Sequence, residues 1–532
     1  MRAPPRWLAA LALVCVALPL LPALGLALGA AAPPPPLFFG QGPPSWRQLL
    51  QSPDGSPGPL LQSMLLALCV ASIAIPTGTT LAWLAQRATY RGARLLGLLS
   101  LLPLAIPSYI LAGTLRQALG PGGAIGSRLG WGTFQGFWPA VLVLSLTTAP
   151  YVQLLVAAAL RRCGREEEEA ARSLGATPWR AFRATVLPRL RPALAFSLLL
   201  VQLYVISDFG AVSVLDCRVL TWRLYQAVES ARLDIALMIS SGVMVLTLPL
   251  LLVARQVLGP PQAPGTANPC PPERSALHPA AIGAGLALQL GVVTLGAVIP
   301  LVTLLAWIAD GLSRGLPFAS LTKPLGETLA LASLGALATV VLAFGPAWVS
   351  ARSPGRLPRW LERAVYLTGG FPGILLAFGL MLLALHGARG AGEPAAYAWL
   401  LGSGILLLLG YAIRFLGEAF ASLRGGAELL DPRLEEAAAS LGASPGARFV
   451  RVIAPQLSPA IVVAFVLAFA AIVKELPVTL LLGGPLGVQP LSFRVYDRYN
   501  EALLHDAGLA GIFVVAISLL ALALSVRSLR TA

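Results

Sequence analysis

The chain has 532 residues, of which 57% are hydrophobic and only 11% charged. That is too little charge to cover soluble domains, so lipid must be its main solvent. The formal charge of +15 would suit nucleic acid, but the basic residues flank apolar stretches and form no aromatic-interleaved patch, which argues against that partner. Five scattered cysteines and three isolated histidines give neither a disulfide framework nor metal-ligand spacing.

A membrane span needs about 20 mostly apolar residues. In chain order, about twelve stretches qualify, near residues 7–30, 60–84, 95–115, 137–160, 192–215, 235–254, 280–308, 326–350, 361–385, 396–420, 458–483 and 509–526. The first follows Arg2 and Arg6 and is too long for a signal-peptide core, so it reads as a retained span. With the amino terminus inside, about 26 of the 38 Lys and Arg residues fall on the inner side, the sense of the positive-inside rule.

The segment Glu169-Ala170-Ala171-Arg172-Ser173-Leu174-Gly175 recurs as Glu436-Ala437-Ala438-Ala439-Ser440-Leu441-Gly442, 267 positions on. The same register pairs Thr177-Pro178 with Ser444-Pro445, Phe182 with Phe449, Pro188 with Pro455 and Asp208 with Glu475. The chain is therefore a tandem duplication, with halves at 1–258 and 280–532 and a Pro-rich polar linker at 259–279. Six spans per half carry both repeats into the membrane in the same sense. The fold class expected is all-α integral membrane, with about twelve transmembrane helices in two parallel six-helix repeats.

Each repeated inner loop, at 165–188 and 431–455, has the chemistry of two helices joined by a sharp bend. Acidic residues, and Asp431-Pro432 in the second copy, start the first helix. Gly175 and Gly442 supply the left-handed residue that ends it. Thr177-Pro178 and Ser444-Pro445 then cap a second helix that leads through Pro188 or Pro455 into the next span. One such hairpin could lie flat on the membrane; two with the same caps point to a pair of docking surfaces.

These loops resemble the signature of binding-protein-dependent ABC importer permeases: Glu-Ala-Ala, three residues, Gly, then an aliphatic residue before Leu-Pro. Glu169, Ala170, Ala171 and Gly175 match in the first copy and Glu436, Ala437, Ala438 and Gly442 in the second, with mild departures at Thr185 and Ala454. The resemblance implies that these residues dock two ABC ATPase subunits on the cytoplasmic side of a bacterial inner membrane. It also implies a periplasmic substrate-binding protein outside, and alternating access between the halves. The chain's only lysines, Lys323 and Lys474, follow Thr322 and Val473, so no Gly-Lys-Ser/Thr phosphate loop exists and ATP is expected to be used by partner chains. No cofactor is expected on this chain, and no catalytic constellation is found. An ion-coupled carrier of two parallel halves, or a polytopic scaffold, would share the repeat but not the capped loops.

Segments around Asp208 and Glu475 resemble the fused ferric-iron branch of this superfamily; thiamine, polyamine and oxyanion branches overlap with it. Trp222-Arg223-Leu224-Tyr225 is echoed by Phe493-Arg494-Val495-Tyr496. Asp208, Glu475, Arg223, Tyr225, Arg494 and Tyr496 are thus candidates for the substrate path, with an interfacial belt as the alternative for the aromatic-Arg-Tyr segments. For the acids, a pore lining and a structural pair neutralised by Lys474 and outer arginines remain open.

Overall fold

The computed structural model describes residues 20–31, 47–51, 57–130, 132–163, 166–257, 279–315, 318–353, 355–390 and 394–531. The linker expected at 259–279, except its last residue, and residues 7–19 of the first stretch lie outside them. The described residues are helical, with no strand among them. Eight helices are long and apolar enough to cross a membrane, and ten if two bent pairs each count as one span. Helix α1 (Leu20–Ala31) and the apolar helix that begins at Gly373 account for the other two expected stretches.

The first repeat contains α2 (Pro59–Arg87), α3 (Ala93–Leu99), α4 (Ser108–Leu119), α5 (Phe137–Leu160), α6 (Glu166–Ser173), α7 (Pro178–Ala181), α8 (Leu187–Ser207), α9 (Gly210–Val214), α10 (Leu220–Glu229) and α11 (Leu233–Val257). Helix α12 (Ile282–Ser313) opens the second. There follow α13 (Thr322–Arg352), α14 (Arg356–Gly369), α15 (Gly373–Gly390), α16 (Ile405–Arg414), α17 (Leu416–Leu429), α18 (Pro432–Ser440), α19 (Pro445–Arg448), α20 (Ala454–Lys474), α21 (Pro477–Gly483), α22 (Leu491–Asn500) and α23 (Leu504–Thr531).

Five of the expected stretches are broken, those at 192–215 and 458–483 at Asp208 and Glu475. The chain bends by 102° between Ala93–Ala105 and Ser108–Leu119, and by 55° between α16 and α17. Pro103 and Pro107 remove two helical donors at the first bend. The stretch at 361–385 breaks between α14 and α15, where Gly369-Gly370-Phe371-Pro372 combines a flexible pair with a proline. The stretches at 192–215 and 458–483 begin earlier than expected: α7 and α19 run through π-helical turns at Phe182–Val186 and Phe449–Ile453 straight into α8 and α20. A π turn loosens the backbone ladder next to Pro188 and Pro455, so the prolines are accommodated without a break.

The first span of each repeat packs on the other repeat. Helix α1 lies along α15, and α12 lies against α4, the first-half counterpart of α15, as well as α23. The α1–α15 crossing needs bare backbone: a Cβ on Gly25 would stand 1.8 Å from the Gly379 carbonyl oxygen. Small residues give membrane helices this close approach, since apolar surface alone gains little against lipid. The exchange interlocks the halves.

Candidate functional site

The two hairpins have the same local geometry. Gly175 has φ +89° and Gly442 φ +79°. Behind each, a Schellman pair closes the helix: Gly175 and Ala176 N–H donate to Arg172 and Ala171 carbonyls at 2.9 and 3.1 Å, and Gly442 and Ala443 N–H to Ala439 and Ala438 at 3.0 and 3.1 Å. The next helix starts with Arg180 N–H donating to Thr177 Oγ1 and Ala447 N–H donating to Ser444 Oγ, while Asp431 accepts from Arg433 N–H at 2.9 Å. Leu174 and Leu441, the residues before the glycines, are each 88% exposed. Apolar knobs held out at matching places by two rigid bends suit insertion into a partner.

Two aromatic anchors, whose contacts no local sequence pattern marks, tie the hairpins to the membrane helices. The Phe182 ring meets Trp83 of α2 edge-on at 5.4 Å, and Phe449 meets Phe344 of α13 at 5.6 Å. Arg87, buried at the end of α2, donates to the Cys163 carbonyl at 2.8 Å and stands 3.7 Å from Glu168 of α6. The hairpins are thereby packed directly on α2 and α13.

Between the halves lies a cavity of about 1300 Å³, walled by both repeats. Asp208 and Glu475 line it, one from each half. At its other end it reaches Arg424 and Glu428 of α17, close in sequence to the second hairpin, so it opens toward the hairpin side. At the acidic end, Phe209 closes it, with its ring 4.9 Å from Tyr225 and 5.8 Å from Tyr496.

Each acid stands in extended backbone between two helices, at ψ 131° for Asp208 and 126° for Glu475. Asp208 accepts from Ser108 Oγ at 2.6 Å and from Ala211 N–H at 2.9 Å, and Glu475 accepts from Val478 N–H at 3.3 Å. The backbone break precedes Gly210 and Pro477, which begin α9 and α21, proline in its favoured first-turn place. The donors freed there are taken by the carboxylates. Neither acid forms an ion pair with Lys474 or an arginine among the described residues. The Lys474 ammonium donates instead to the Leu104 carbonyl of the other half at 3.3 Å.

Of the other candidates, none is among the residues lining the cavity: Tyr225 and Tyr496 pack on Phe209, which does line it, and Arg223 and Arg494 stand apart. Arg223 lies over the Trp222 ring at 5.4 Å. Arg494 makes two bonds to Asp506, at 3.0 and 2.7 Å.

A sequence profile described as "Binding-protein-dependent transport system inner membrane component" matches residues 74–258 and again 339–532. The chain belongs to this family of importer permeases. The permease is similar to the Fe(3+)-transport system permease protein FbpB 2 of Haemophilus influenzae, at 27% identity over 83% of this chain and 84% of that one. It also resembles the sulfate transport system permease protein CysW of Escherichia coli K12, 34% identical over 32% of this chain and 59% of that one. The molybdenum transport system permease protein ModB of the same strain is 35% identical over 29% and 70%. Family membership sets aside the ion-coupled carrier and the scaffold, and makes the permease a transport subunit and not an enzyme.

The permease's cavity wall is unequal in a way the repeat register could have revealed. Arg414, Glu418 and Lys474 of the second half line the cavity where the first half has Thr147, Tyr151 and Ser207. Comparison of the copies for mismatched ionisable residues, and not only for matches, would have found them.

The ends of α10 and α22 carry strain of their own. Ala231 (φ 55°) and Ala502 (φ 59°) hold left-handed positions, each within a Schellman closure, with Arg232 and Leu503 N–H donating to Ala227 and Arg498 carbonyls at 2.8 Å. Glycine there relieves Cβ strain of about 1 kcal/mol per site. Ala231→Gly with Ala502→Gly should raise the thermal denaturation midpoint of the purified permease. A lowered midpoint would show that the strain is absent.

Proposed function

We propose that this permease supplies both halves of the pore of an ATP-driven ferric-iron importer in a bacterial inner membrane, with the amino terminus in the cytoplasm. The halves are 1–258 and 280–532, joined by the linker at 259–279. The observation that carries the reading is the pair of equivalent capped hairpins on the side toward which a two-half cavity opens. Two ABC ATPase subunits dock there, on Glu169, Ala170, Ala171, Gly175 and their counterparts Glu436, Ala437, Ala438 and Gly442. ATP closure pulls the hairpins, Phe182 and Phe449 pass the motion to the spans, and the halves rock about the cavity. A periplasmic binding protein delivers cargo at the Phe209, Tyr225 and Tyr496 end.

Iron is supported by the likeness to a ferric-iron permease across most of both chains and by the carboxylates in the cavity wall, of which Asp208, Glu418 and Glu475 form no ion pair among the described residues. Hard oxygen ligands suit a hard cation. An oxyanion is the second reading, favoured by Lys474 and Arg414 in the same wall and by the sulfate and molybdenum relatives. Proteoliposomes holding the permease with its ATPase and binding protein should take up ferric iron when ATP is supplied, and not under a proton gradient alone. Sulfate or molybdate uptake with iron ignored would assign the oxyanion.

A further inference from the structure

Lys474 is an ionisable residue at membrane depth, and such residues are expensive unless paired or used. Its hydrogen bond goes to a backbone carbonyl of the opposite half, that of Leu104, just before the bend at Pro107. Glu418, open to the cavity, faces the ammonium, with no ion pair formed between them. Asp208 and Glu475 take their hydrogen bonds from neutral donors. These three carboxylates and the lysine thus share a cavity wall without direct pairing, whereas its other two acids, Glu362 and Glu428, pair with Arg424.

A further group points into the same place. Tyr109, just after the bend, lines the cavity, is only 4% exposed and has no hydrogen-bond partner for its hydroxyl. It faces Glu475. A buried hydroxyl left open normally costs about 1–3 kcal/mol, so an arriving ligand that takes its oxygen recovers that loss. The wall is also built alike in both halves: Asp208 meets Ser108, the first residue of α4, while a Cβ on Gly373, the first residue of α15, would stand 2.8 Å from Glu475 Oε1. Arg414 does not neutralise that acid by direct contact. It is held by the Gly369 and Phe371 carbonyls at the second half's own break.

No three acids among the described residues stand close enough to ligate one ion directly, and we infer that Asp208, Glu475, Glu418 and the Tyr109 hydroxyl instead line a transient electrostatic station for a hydrated hard multivalent cation, with the Lys474 ammonium as its resting counter-ion and a tie between the halves. This rests on the iron reading above. Arrival of a multivalent cation repels the ammonium, breaks the Lys474 to Leu104 bond and frees the two halves to move. Ser207, the register counterpart of Lys474, carries no charge, so this charged tie between the halves is made from the second half alone.

Terbium(III) alone, read by tyrosine-sensitised luminescence, tests the station on the full chain in lipid nanodiscs without ATPase or binding protein. Removing the competing charge with Lys474→Met should tighten terbium binding by about tenfold or more, Lys474→Arg should match the parent, and Tyr109→Phe should weaken it. Terbium affinity in Lys474→Met equal to or below the parent's, with Lys474→Arg normal, overturns the proposal. Intact ATP-driven iron uptake beside that result would leave the cargo assignment standing. Failure of the parent to move iron would overturn the cargo assignment, while the terbium titration still decides the station by itself.

Discussion

A chain carrying Gly175→Val and Gly442→Val should insert in the membrane but lose its ATPase subunits on purification. Both glycines sit at positive φ, with open space where a Cβ would stand, so the penalty is backbone strain and not a clash. Left-handed backbone costs an L-residue about 1–2 kcal/mol, and a β-branched residue stands at the upper end. Relief comes by unwinding the Schellman closure, which redirects the exposed Leu174 and Leu441 and separates the two short helices. A loss of about 1–2 kcal/mol at each of two docking points corresponds to about 5–30-fold per site. ATPase retention and ATP-driven uptake should fall together, and each single variant should show a partial loss. Glycine-to-alanine changes at the same sites should be milder. Full ATPase retention by the double valine variant would remove the hairpins from the docking role.

The hairpins were legible in sequence because every feature that shapes them is local: a capping hydroxyl, proline at the first helical position and glycine at the bend all lie within a few residues. Spans were legible by apolar length. The breaks were less so, since apolar content runs through them; Pro103 and Pro107 marked the first, but α16 and α17 part at Phe415 with no proline between them. There the bend depends on non-local contacts, including Arg414 reaching back to the Gly369 and Phe371 carbonyls. Polar groups of irregular backbone survive at membrane depth only when buried in protein or facing a cavity. The exchange of α1 and α12 between halves was likewise hidden, because close approach at Gly25 and Gly379 depends on which helices meet. For Asp208 and Glu475 the pairing followed from the 267-residue register and the inward direction from the cost of a charge in lipid, whereas their capping partners could not be read.

Those partners make charge removal at the two acids a clean experiment. Asparagine at 208 keeps Oδ1 for the Ala211 N–H while its amide nitrogen can donate to Ser108 Oγ, and glutamine at 475 keeps an oxygen for Val478 N–H. The helix starts at α9 and α21 should therefore survive in Asp208→Asn with Glu475→Gln, and the double variant should express and retain its ATPase normally. What changes is the field in the cavity: two of its three acidic charges at this end disappear while Lys474 and Arg414 remain, turning a cation-attracting wall into a repelling one. In the low-dielectric setting of a membrane pore, a reversal of that kind is worth several kcal/mol to a multivalent ion. Iron uptake should fall by at least about a hundredfold, with each single variant intermediate. A structural role alone predicts the reverse pattern, in which capping is conserved and uptake stays near the parent's. If the cargo is an oxyanion, the same double variant should instead transport sulfate or molybdate as well as the parent or better, because its wall has become more positive. The direction of the change thus reads the sign of the cargo's charge.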